Sequence, residues 1–470
     1  MKKTKIVCTL GPATDSSETM EALLAAGMNI ARFNFSHGDY EGHKKRMDAI
    51  RAASAKTGIP VAIVLDTKGP EIRLGAFRDG FANLEEGRHL ILTTNEMFGD
   101  QHKVSVSYNN LAKEVTIGDR ILLADGLVSL KVQAINNDEI TTIIENSGKM
   151  GSGKRVAVPG RALGLPFLSE QDKSDITFGI QQNVDFIAAS FVQRAEDVRQ
   201  IRALLDKHQS HAKIIAKIEN VQSIENLAEI LEEADGLMIA RGDLGIEIAA
   251  EEVPLLQKKI IKMCNEAGKP VITATQMLES MVNNPRPTRA EASDVANAIL
   301  DGTDAVMLSG ETASGHYPVE AVTVMTSIAK KTETVLDSEY HLTRFGFNQT
   351  NTPDAISHAA VQIAMQLNVK GIISFTQSGF TAQKISRYRP RVPIFAVTPS
   401  EETIRHLQLV WGVVAVRGTE QRDTDKMTEE AIKCCLAAGY VEIGDQVEIT
   451  AGVPIGQTGT TNIIQVHIVS

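Results

Sequence analysis

The feature that most restricts the fold of this chain is a repeated unit: a short β-rich apolar run, a polar or glycine-marked end, and an amphipathic helical segment. Eight such runs precede residue 310, beginning at Lys5, Met28, Pro60, Phe186, Lys213, Gly236, Pro270 and Ala305. Apolar residues recur at helical spacing between or after them, in segments such as 17–26, 195–208, 223–234, 252–267 and 289–300. Parallel strands need crossover helices, and closure removes the sheet edges. The repeat therefore predicts a closed (β/α)8 barrel.

Two stretches lack the strand–helix repeat of the barrel, and each predicts a further domain. Residues 70–167 hold strand and turn signals without a long helical pattern, which indicates a small β-barrel domain inserted at the barrel rim. After the polar stretch 345–354, five strand runs alternate with helical segments and predict a C-terminal open, mostly parallel α/β sheet. We thus expect an α/β protein with a barrel at 1–69 and 168–342, an insert at 70–167 and a C-terminal domain at 343–470.

Charge and composition exclude several classes of partner. The net charge of −10 argues against nucleic acid and against an anionic membrane surface, so an anionic substrate needs a local cationic site. No apolar run approaches the ~18 residues of a membrane span. The four cysteines show neither zinc-site spacing nor a disulfide framework, which favours a reducing cytoplasm.

Polar and charged residues stand where the predicted barrel strands end. Barrel enzymes place their chemistry at the C-terminal ends of the strands. Here those ends carry Thr9, Arg32 with Asn34, Asp66, Ser190, Lys217 with Glu219, Asp243, Thr275 and Glu311. Lys217 and Glu219 lie two residues apart on one strand, so both side chains can point into the same mouth.

Each of these residues also has an ordinary structural interpretation. The pair Lys217 and Glu219 fits a solvated strand end about as well as a site. Asp243 alone is more often a helix N-cap than a metal ligand, and Thr275 alone is an ordinary β-branched strand residue. The ordinary interpretation would have to hold independently at all eight strand ends, which is improbable. The pattern therefore favours a functional site at the barrel rim.

Two short motifs are misleading. The tripeptide RGD at 241–243 resembles an adhesion motif, but it follows a buried run and cannot sit on an extended exposed loop. The stretch GKMGSGKR at 148–155 approximates a Walker motif, yet Arg155 replaces the metal-binding Ser or Thr and no helical pattern follows. Lys154 can still reach phosphate from the insert.

The rim residues suit a phosphate or enolate ligand. Glu219 and Asp243 can hold Mg2+ through carboxylate oxygens and leave positions open for substrate. Gly242 leads into a helix N-terminus, whose free N–H groups can receive a carboxylate or phosphate. Lys217 and Arg32 supply the positive charge that phosphoryl transfer requires.

The motifs also resemble those of a known family. CTLGPAT, NIARFNFSHG, LDTKGPEIR, AKIEN, MIARGDLG and the long block from Ile272 to Ala313 are similar to pyruvate kinases, nearly end to end. The resemblance implies transfer of phosphoryl from phosphoenolpyruvate to ADP, giving pyruvate and ATP in glycolysis. It also implies Mg2+ (or Mn2+) and K+ as cofactors, and a homotetramer.

The resemblance further assigns roles to individual residues. It implies that Lys217, Arg32 and Thr275 are catalytic, with Lys217 stabilising charge on the phosphoryl group and Thr275 near the enolate face. Mg2+ ligands are then Glu219 and Asp243. The substrate pocket includes Ser190, Ala240, Arg241 and Gly242, and the K+ site is Asn34, Ser36, Asp66 and Thr67. The nucleotide-binding residues are Thr9, Pro12, Asn34, His37, Arg73 and Lys154.

Two of the implied roles concern the insert and the cation requirement. Arg73 and Lys154 come from the insert or its hinge, so the insert becomes a lid that excludes water when it closes. A glutamate at the position of Glu71 accompanies K+ dependence in the family, whereas a lysine there supplies the charge itself.

The stretch TQSGFTA from Thr376 is a hydroxyl- and glycine-rich turn before a helical segment, suited to holding phosphate on backbone N–H groups. An ordinary capped turn is the other interpretation. The resemblance makes it the phosphate loop for an allosteric activator, with Thr376, Ser378, Gly379 and Thr381 as its residues. Gln377 and Phe380 stand where cationic residues often help bind a bisphosphate in animal forms of the family. A sugar monophosphate or AMP is therefore favoured over fructose 1,6-bisphosphate.

Without an N-terminal extension or an extra C-terminal domain, the chain is expected to be the minimal bacterial form.

Two other functions remain open at this point. A barrel lyase or aldolase acting on a pyruvate-like acid would explain Glu219 and Asp243, but it needs neither Lys217 nor a nucleotide lid. A catalytically inactive metabolite sensor would explain TQSGFTA, but it would not need polar and charged residues at all eight barrel strand ends.

Overall fold

The first barrel strands follow the predicted pattern. The structure is a computed structural model that describes residues 1–161, 163–345, 351–421, 423–454 and 459–470. The chain begins with the strands β1 Lys5–Thr9, β2 Ile30–Asn34 and β3 Ala62–Asp66. The connections hold a 3-10 helix at Pro12–Thr14 and the helices α1 Ser17–Ala26 and α2 Tyr40–Thr57. Gly27 and Gly58 end these helices in the left-handed conformation, which glycine adopts without steric cost.

The insert after β3 is a curled β-domain in which the strands pair antiparallel except β6 with β7. Its strands are β4 Ile72–Arg73, β5 Phe81–Leu84, β6 His89–Thr93, β7 Lys103–Ser105, β8 Arg120–Leu123, β9 Val128–Asn136, β10 Glu139–Ile144, β11 Gly148–Gly151 and β12 Arg155–Ala157, with one short helix, α3 Leu111–Glu114. Seven strands form one sheet in the order β4-β12-β8-β9-β10-β6-β7, and β11 pairs with β5. The two edges of the sheet meet at a bridge between Leu74 and Val106, beside a 2.9 Å hydrogen bond from the Ser107 N–H to the Arg73 carbonyl.

The chain then returns to the barrel. The remaining barrel strands are β13 Phe186–Ala189, β14 Lys213–Ile218, β15 Gly236–Ala240, β16 Val271–Ala274 and β17 Ala305–Leu308. The accompanying helices are α4 Glu170–Gln181, α5 Ala195–Lys207, α6 Val221–Glu225, α7 Leu227–Glu233, α8 Arg241–Glu247, α9 Val253–Ala267, α10 Arg289–Asp301, α11 Gly310–Ala313 and α12 Pro318–Thr332. Short 3-10 helices lie at Glu279–Val282 and Glu333–Val335.

The eight parallel strands close in the order β1-β17-β16-β15-β14-β13-β3-β2. The closing pairs align Val7 with Ile30 and Val7 with Met307. Side chains that alternate along each strand fill either the barrel interior or the layer between strands and helices, and the strands are buried almost throughout. Closure therefore brings all eight C-terminal strand ends to one mouth, as the sequence predicted.

The two chain crossings between barrel and insert are fastened to each other. Gly69 precedes the insert with a φ of 71°, and a Cβ there would lie 2.8 Å from the Phe191 ring. The Gly69 N–H donates to Asp172 Oδ1 at 3.0 Å. The other oxygen of Asp172 accepts from the Ser169 N–H at 3.1 Å, which caps α4 just after the insert. One carboxylate thus holds both ends of the inserted domain.

The C-terminal region is an open sheet, and the predicted fold class is confirmed. After α13 Ser338–Phe345 come α14 Thr352–Leu367, β18 Ile372–Phe375, α15 Phe380–Ser386, β19 Ile394–Thr398, α16 Glu401–His406, a 3-10 helix at Leu407–Leu409, β20 Val413–Arg417, α17 Thr424–Ala437, β21 Gln446–Gly452 and β22 Thr461–Ile468. The strand order is β20-β19-β18-β21-β22, and every pair is parallel except β21 with β22.

The predicted linker at 345–354 lies in part outside the described residues. Among the described helices, none combines the length and the apolar character that crossing a membrane requires.

A buried carboxyl group stands out in this sheet. Glu448 lies on β21 with no exposed surface, and neither of its carboxylate oxygens has a hydrogen-bond partner among the described residues. The Ser374 and Thr450 hydroxyls, aligned with each other on β18 and β21, are buried nearby and have no hydrogen-bond partner in the described part of the chain. Burial raises the pKa of Glu448 to about 8 because it disfavours the charged carboxylate.

We expect Glu448 to make stability depend on pH. Its pKa is higher in the folded chain than in the unfolded chain, so the folded state holds an extra proton between about pH 4.5 and 8. Stability is therefore greatest below this window and falls as the pH rises through it, by up to about 1.4 kcal/mol per pH unit. Glu448→Gln should raise the Tm by several degrees at pH 8 and by little at pH 5, measured by scanning calorimetry.

The control is Glu429→Gln, which changes an exposed glutamate on α17 of the same domain and should leave the Tm unchanged at both pH values. An equal gain from Glu448→Gln at pH 5 and pH 8 would show that ionisation of Glu448 has no part in the effect.

Candidate functional site

The largest cluster of predicted rim residues lines one cleft between the barrel mouth and the insert. The cleft encloses about 560 Å3. Its basic side chains are Arg32, Lys68, Arg73, Lys154, Arg155 and Lys217, and its acidic side chains are Asp66, Glu71, Asp125, Glu219 and Asp243. Six basic groups against five acidic ones make a local cationic excess on a chain of net charge −10. The sequence predicted that an anionic substrate would need such a site.

Asp66 at the end of β3 joins the two predicted phosphoryl-binding cations. It is 1% exposed and accepts from Arg32 Nε at 2.6 Å and from Lys217 Nζ at 3.1 Å. These two cations lower the pKa of Asp66 by more than burial raises it, so the carboxylate is ionised. Arg32 is further fixed by Thr9, whose hydroxyl oxygen lies 2.8 Å from Nη1.

Lys217 lies at the centre of the rim. Its ammonium group donates to Ser190 Oγ at 2.7 Å and forms ion pairs with Asp66 and, at 2.9 Å, with Glu219 Oε1. Burial favours the neutral amine, but the Asp66 and Glu219 carboxylates outweigh it and raise the pKa of Lys217. The ammonium is therefore charged at neutral pH. The two opposite charges at the end of β14 are thus parts of one network.

Glu219 and Asp243 fit a divalent cation by the chemistry of their oxygens. Glu219 is 1% exposed, and its Oε2 accepts from the Phe191 N–H at 2.7 Å. Asp243 lies in the first turn of α8, faces the same cleft and forms an ion pair with Arg155 of the insert. No group of three or more His, Cys, Asp or Glu side chains suited to a metal occurs among the described residues. Two carboxylates completed by substrate oxygens are a usual arrangement for Mg2+.

The four residues predicted for K+ also line the cleft. They are Asn34, Ser36, Asp66 and Thr67, and all of them offer oxygen atoms. Asn34 Oδ1 accepts from the Ser36 N–H at 3.1 Å, and the Thr67 hydroxyl accepts from the Ser190 N–H at 3.0 Å. The donor set therefore fits a hard monovalent cation.

The predicted carboxylate pocket at 240–242 differs from expectation in two ways. The Gly242 N–H is not free, because it donates to Thr275 Oγ1 at 2.7 Å. The Arg241 side chain points away from the cleft and binds Asp294 and the Thr275 carbonyl. A guanidinium can satisfy several acceptors at once, so Arg241 anchors α8 to the loop after β16. Of the predicted pocket residues 240–242, Gly242 lines the cleft.

Besides Arg241, four residues predicted for catalysis, substrate binding or nucleotide binding do not line the cleft. Thr275 has a φ of 68°, rare for a β-branched residue, and its hydroxyl donates to the Ala274 carbonyl at 2.6 Å. Ala240 is buried at the end of β15, and Thr9 acts through Arg32. Pro12 is exposed at the start of a 3-10 helix.

The strand end after β17 has a structural use. Glu311, which the sequence placed on the rim, is buried and accepts from the Leu278 N–H at 3.1 Å and the Ser309 N–H at 2.7 Å. It thus holds two loops behind the mouth.

The other predicted nucleotide-binding residues face the cleft. Asn34 and His37 do so from the barrel, and Arg73 and Lys154 from the insert. Arg73 forms hydrogen bonds to Glu71 Oε2 through Nε at 3.1 Å and through Nη2 at 2.5 Å. Lys154 is exposed at the cleft and has no ion pair among the described residues. It is therefore available to a phosphate group.

The predicted effector turn is ordered by its own hydroxyl groups. The Thr376 hydroxyl accepts from the Gly379 N–H at 3.0 Å, and the Thr381 hydroxyl is 2.7 Å from that of Thr461. Gly379 has a φ of 82° and begins α15. Ser378 is exposed at the tip of the turn.

Several cleft residues were not predicted as site residues, among them Arg155, Lys68 and Phe191. Arg155 was considered only as the residue that breaks a Walker motif, and its ion pair with Asp243 joins positions 88 residues apart. Lys68 belongs to the LDTKGPEIR motif, so its charge beside Asp66 was a usable signal. Phe191 gave no signal, because an aromatic residue at a strand end is usually core.

Comparisons with known proteins agree with this geometry. Residues 1–322 match the family model described as pyruvate kinase, barrel domain, and residues 354–467 match that described as pyruvate kinase, alpha/beta domain. A pyruvate kinase of Geobacillus stearothermophilus is 54% identical over all of this chain and 81% of the relative, and one of Staphylococcus aureus strain USA300 is 52% identical with the same coverage. A crystal structure of a pyruvate kinase from Cryptosporidium parvum superimposes with a TM-score of 0.95 at 40% identity, covering 100% of this chain and 96% of the other.

Proposed function

The chain belongs to the pyruvate kinase family, and we propose that Lys217 and Arg32 carry its phosphoryl transfer from phosphoenolpyruvate to ADP. The observation that supports this assignment is the buried ammonium of Lys217, held within 3.1 Å of both Asp66 and Glu219 at the cleft. A charge fixed in this way needs no reorganisation when negative charge develops on the substrate.

In the proposed reaction, an oxygen of the terminal phosphate of ADP attacks the phosphorus atom of phosphoenolpyruvate. The bond between phosphorus and the enol oxygen breaks, and its electrons leave with the enolate of pyruvate. Arg32 and Lys217 bind the phosphoryl oxygens and orient them, and Ser190 holds the Lys217 ammonium in place. Glu219 and Asp243 would hold Mg2+, which would supply further positive charge to the phosphoryl oxygens.

The enolate must then gain a proton at its methylene carbon to give pyruvate. We propose Thr275 as the side chain through which this proton passes. Its hydroxyl accepts a hydrogen bond from the N–H of Gly242, and Gly242 lines the cleft. The proton therefore has to reach the carbon through a water molecule.

The insert acts in this proposal as a lid over the nucleotide. Arg73 and Lys154 bring two cations from the insert to the same cleft as His37 and Asn34 of the barrel. Closure would exclude water, which otherwise competes with ADP for the phosphoryl group. The lyase and inactive-sensor alternatives give no role to these residues, and an assay for ATP formation separates them from the kinase.

Replacing Lys217 tests its role. Lys217→Ala should lower kcat at least about a hundredfold, because one preorganised charge is lost in the transition state, while the affinity for ADP changes little. Steady-state kinetics of ATP formation and ADP binding by calorimetry measure the two effects. The matched control is Lys213→Ala, at the exposed start of the same strand, which should keep full activity. A raised KM with unchanged kcat would show that Lys217 only binds substrate.

We also propose K+ as the monovalent cofactor, supported by the oxygen donors at the cleft and by Glu71 beside Arg73. Exchanging K+ for tetramethylammonium at constant ionic strength should abolish most of the activity. Glu71→Lys places an ammonium near the same position and should reduce this dependence. Equal turnover of the unmodified enzyme in both salts would contradict the proposal.

We propose further that a phosphorylated metabolite activates the enzyme at the turn of Thr376, Ser378, Gly379 and Thr381, supported by the exposed Ser378 before α15. At subsaturating phosphoenolpyruvate, a hexose monophosphate or AMP should raise the rate more than fructose 1,6-bisphosphate does. Ser378→Asp should weaken the activation, because it adds negative charge where the phosphate binds. If Ser378→Asp and the unmodified enzyme were activated to the same extent, the effector would have to bind elsewhere.

The assembly and the location of the enzyme stay predictions. A homotetramer follows from the family resemblance alone, and light scattering can measure the mass of the particle. A cytoplasmic location is supported by the four cysteines, all of which are free thiols.

A further inference from the structure

Arg155 makes the direct ion pair between the insert and a predicted metal ligand. It begins β12, where its backbone pairs with that of Arg73 on β4. Its Nη1 forms an ion pair with Asp243 Oδ1 of the barrel and lies 3.8 Å from Asp125 of the insert. The Arg155 side chain is 15% exposed and the Asp243 side chain 25%, so solvent screens the pair only in part.

The guanidinium also lies over an aromatic ring. Its central carbon lies 4.7 Å from the centre of the Phe191 ring, in the loop after β13. The face of an aromatic ring attracts a cation at this distance. Arg155 thus crosses the mouth of the cleft and touches the barrel at two points, through Asp243 and through Phe191.

This contact conflicts with metal binding at the same carboxylate. The proposed function gives Asp243 to Mg2+, whereas the structure gives an oxygen of Asp243 to a cation of the chain itself. A guanidinium and a divalent cation repel each other strongly at the distance that sharing one small carboxylate imposes. The favourable interaction with Asp243 can therefore be made fully by one of them at a time.

We propose that Arg155 is a latch that competes with the divalent cation for Asp243 and holds the insert against the barrel until the cation binds. The proposal rests on the assignment of Asp243 as a metal ligand. It makes Arg155 a positioning residue, since it acts through Asp243 and through the placement of the insert. Cation binding and release of the insert are then coupled, and each must favour the other to the same extent.

The first experiment measures Mn2+ binding without substrate, by electron paramagnetic resonance of the free ion. Arg155→Met keeps an unbranched chain that can still pack on Phe191 but removes the charge. We expect this variant to bind Mn2+ about three- to tenfold more tightly than the unmodified protein. The matched control is Arg161→Met, because Arg161 is a lid arginine paired with Asp119 inside the insert, and it should leave the affinity unchanged.

Asp243→Asn separates a failure of the latch from a failure of the metal assignment. Unchanged Mn2+ affinity in Asp243→Asn would overturn the proposed metal site. Loss of affinity in Asp243→Asn, together with equal or weaker binding by Arg155→Met, would keep the metal site and overturn the latch, because Arg155 would then be neutral or helpful to the cation.

The second experiment follows the insert by hydrogen exchange of the full chain. Without metal, Arg155→Met should exchange faster than the unmodified protein at β4 and β12, which flank the cleft. Mn2+ should speed exchange there in the unmodified protein and have a smaller effect in Arg155→Met. Exchange that Mn2+ leaves unchanged or slows in the unmodified protein would contradict release of the insert.

Discussion

The site depends on one constraint: Lys217 is buried at the barrel mouth and needs neighbouring carboxylates to stay charged there. Asp66 comes from β3 and Glu219 from the end of its own strand, and Ser190 after β13 supplies a hydroxyl acceptor. Removing a cation from water costs several kcal/mol unless it is paired and hydrogen-bonded. The strands β3, β13 and β14 are neighbours in the parallel barrel sheet, so their C-terminal ends bring these groups together at that depth. The charged network therefore depends on the positions of these strands. It places a fixed positive charge at the barrel mouth, where phosphoryl oxygens would bind.

The insert adds a second set of charges to the cleft. Arg73, Lys154 and Arg155 reach the cleft from strands whose only covalent links to the barrel are the two crossings near Gly69 and Ser169. Those crossings are tied to each other by Asp172. In the proposed function the barrel network stabilises charge on the phosphoryl group, and the insert serves as the lid that excludes water.

Much of this could be predicted from the sequence, because strand periodicity and strand-end chemistry are local. The eight strands, the insert and the shared mouth follow from such patterns. What could not be predicted depends on contacts between distant residues. The sequence predicts one helix at 223–234, but the structure has two, α6 and α7, which are separated at Asn226. There the Asn226 side chain donates a hydrogen bond to the Gln193 carbonyl at 2.8 Å.

The same limit applies inside the site. The direction of the Arg241 side chain depends on Asp294, and the loss of the free Gly242 N–H depends on Thr275, which adopts a left-handed conformation that its residue type does not suggest. The ion pair between Arg155 and Asp243 joins two domains. None of these contacts leaves a periodic signal in the chain.

The central claim is that acids from β14 and α8 share one divalent ion beside the Lys217 ammonium. The most direct measurement is a crystal structure with Mn2+ and phosphoenolpyruvate, read from the anomalous difference map at the manganese edge. The account predicts one strong peak about 2.1 Å from oxygens of both Glu219 and Asp243, with the Lys217 ammonium on the phosphoryl group. A peak that contacts only one of the two acids, or lies outside the cleft, would contradict it.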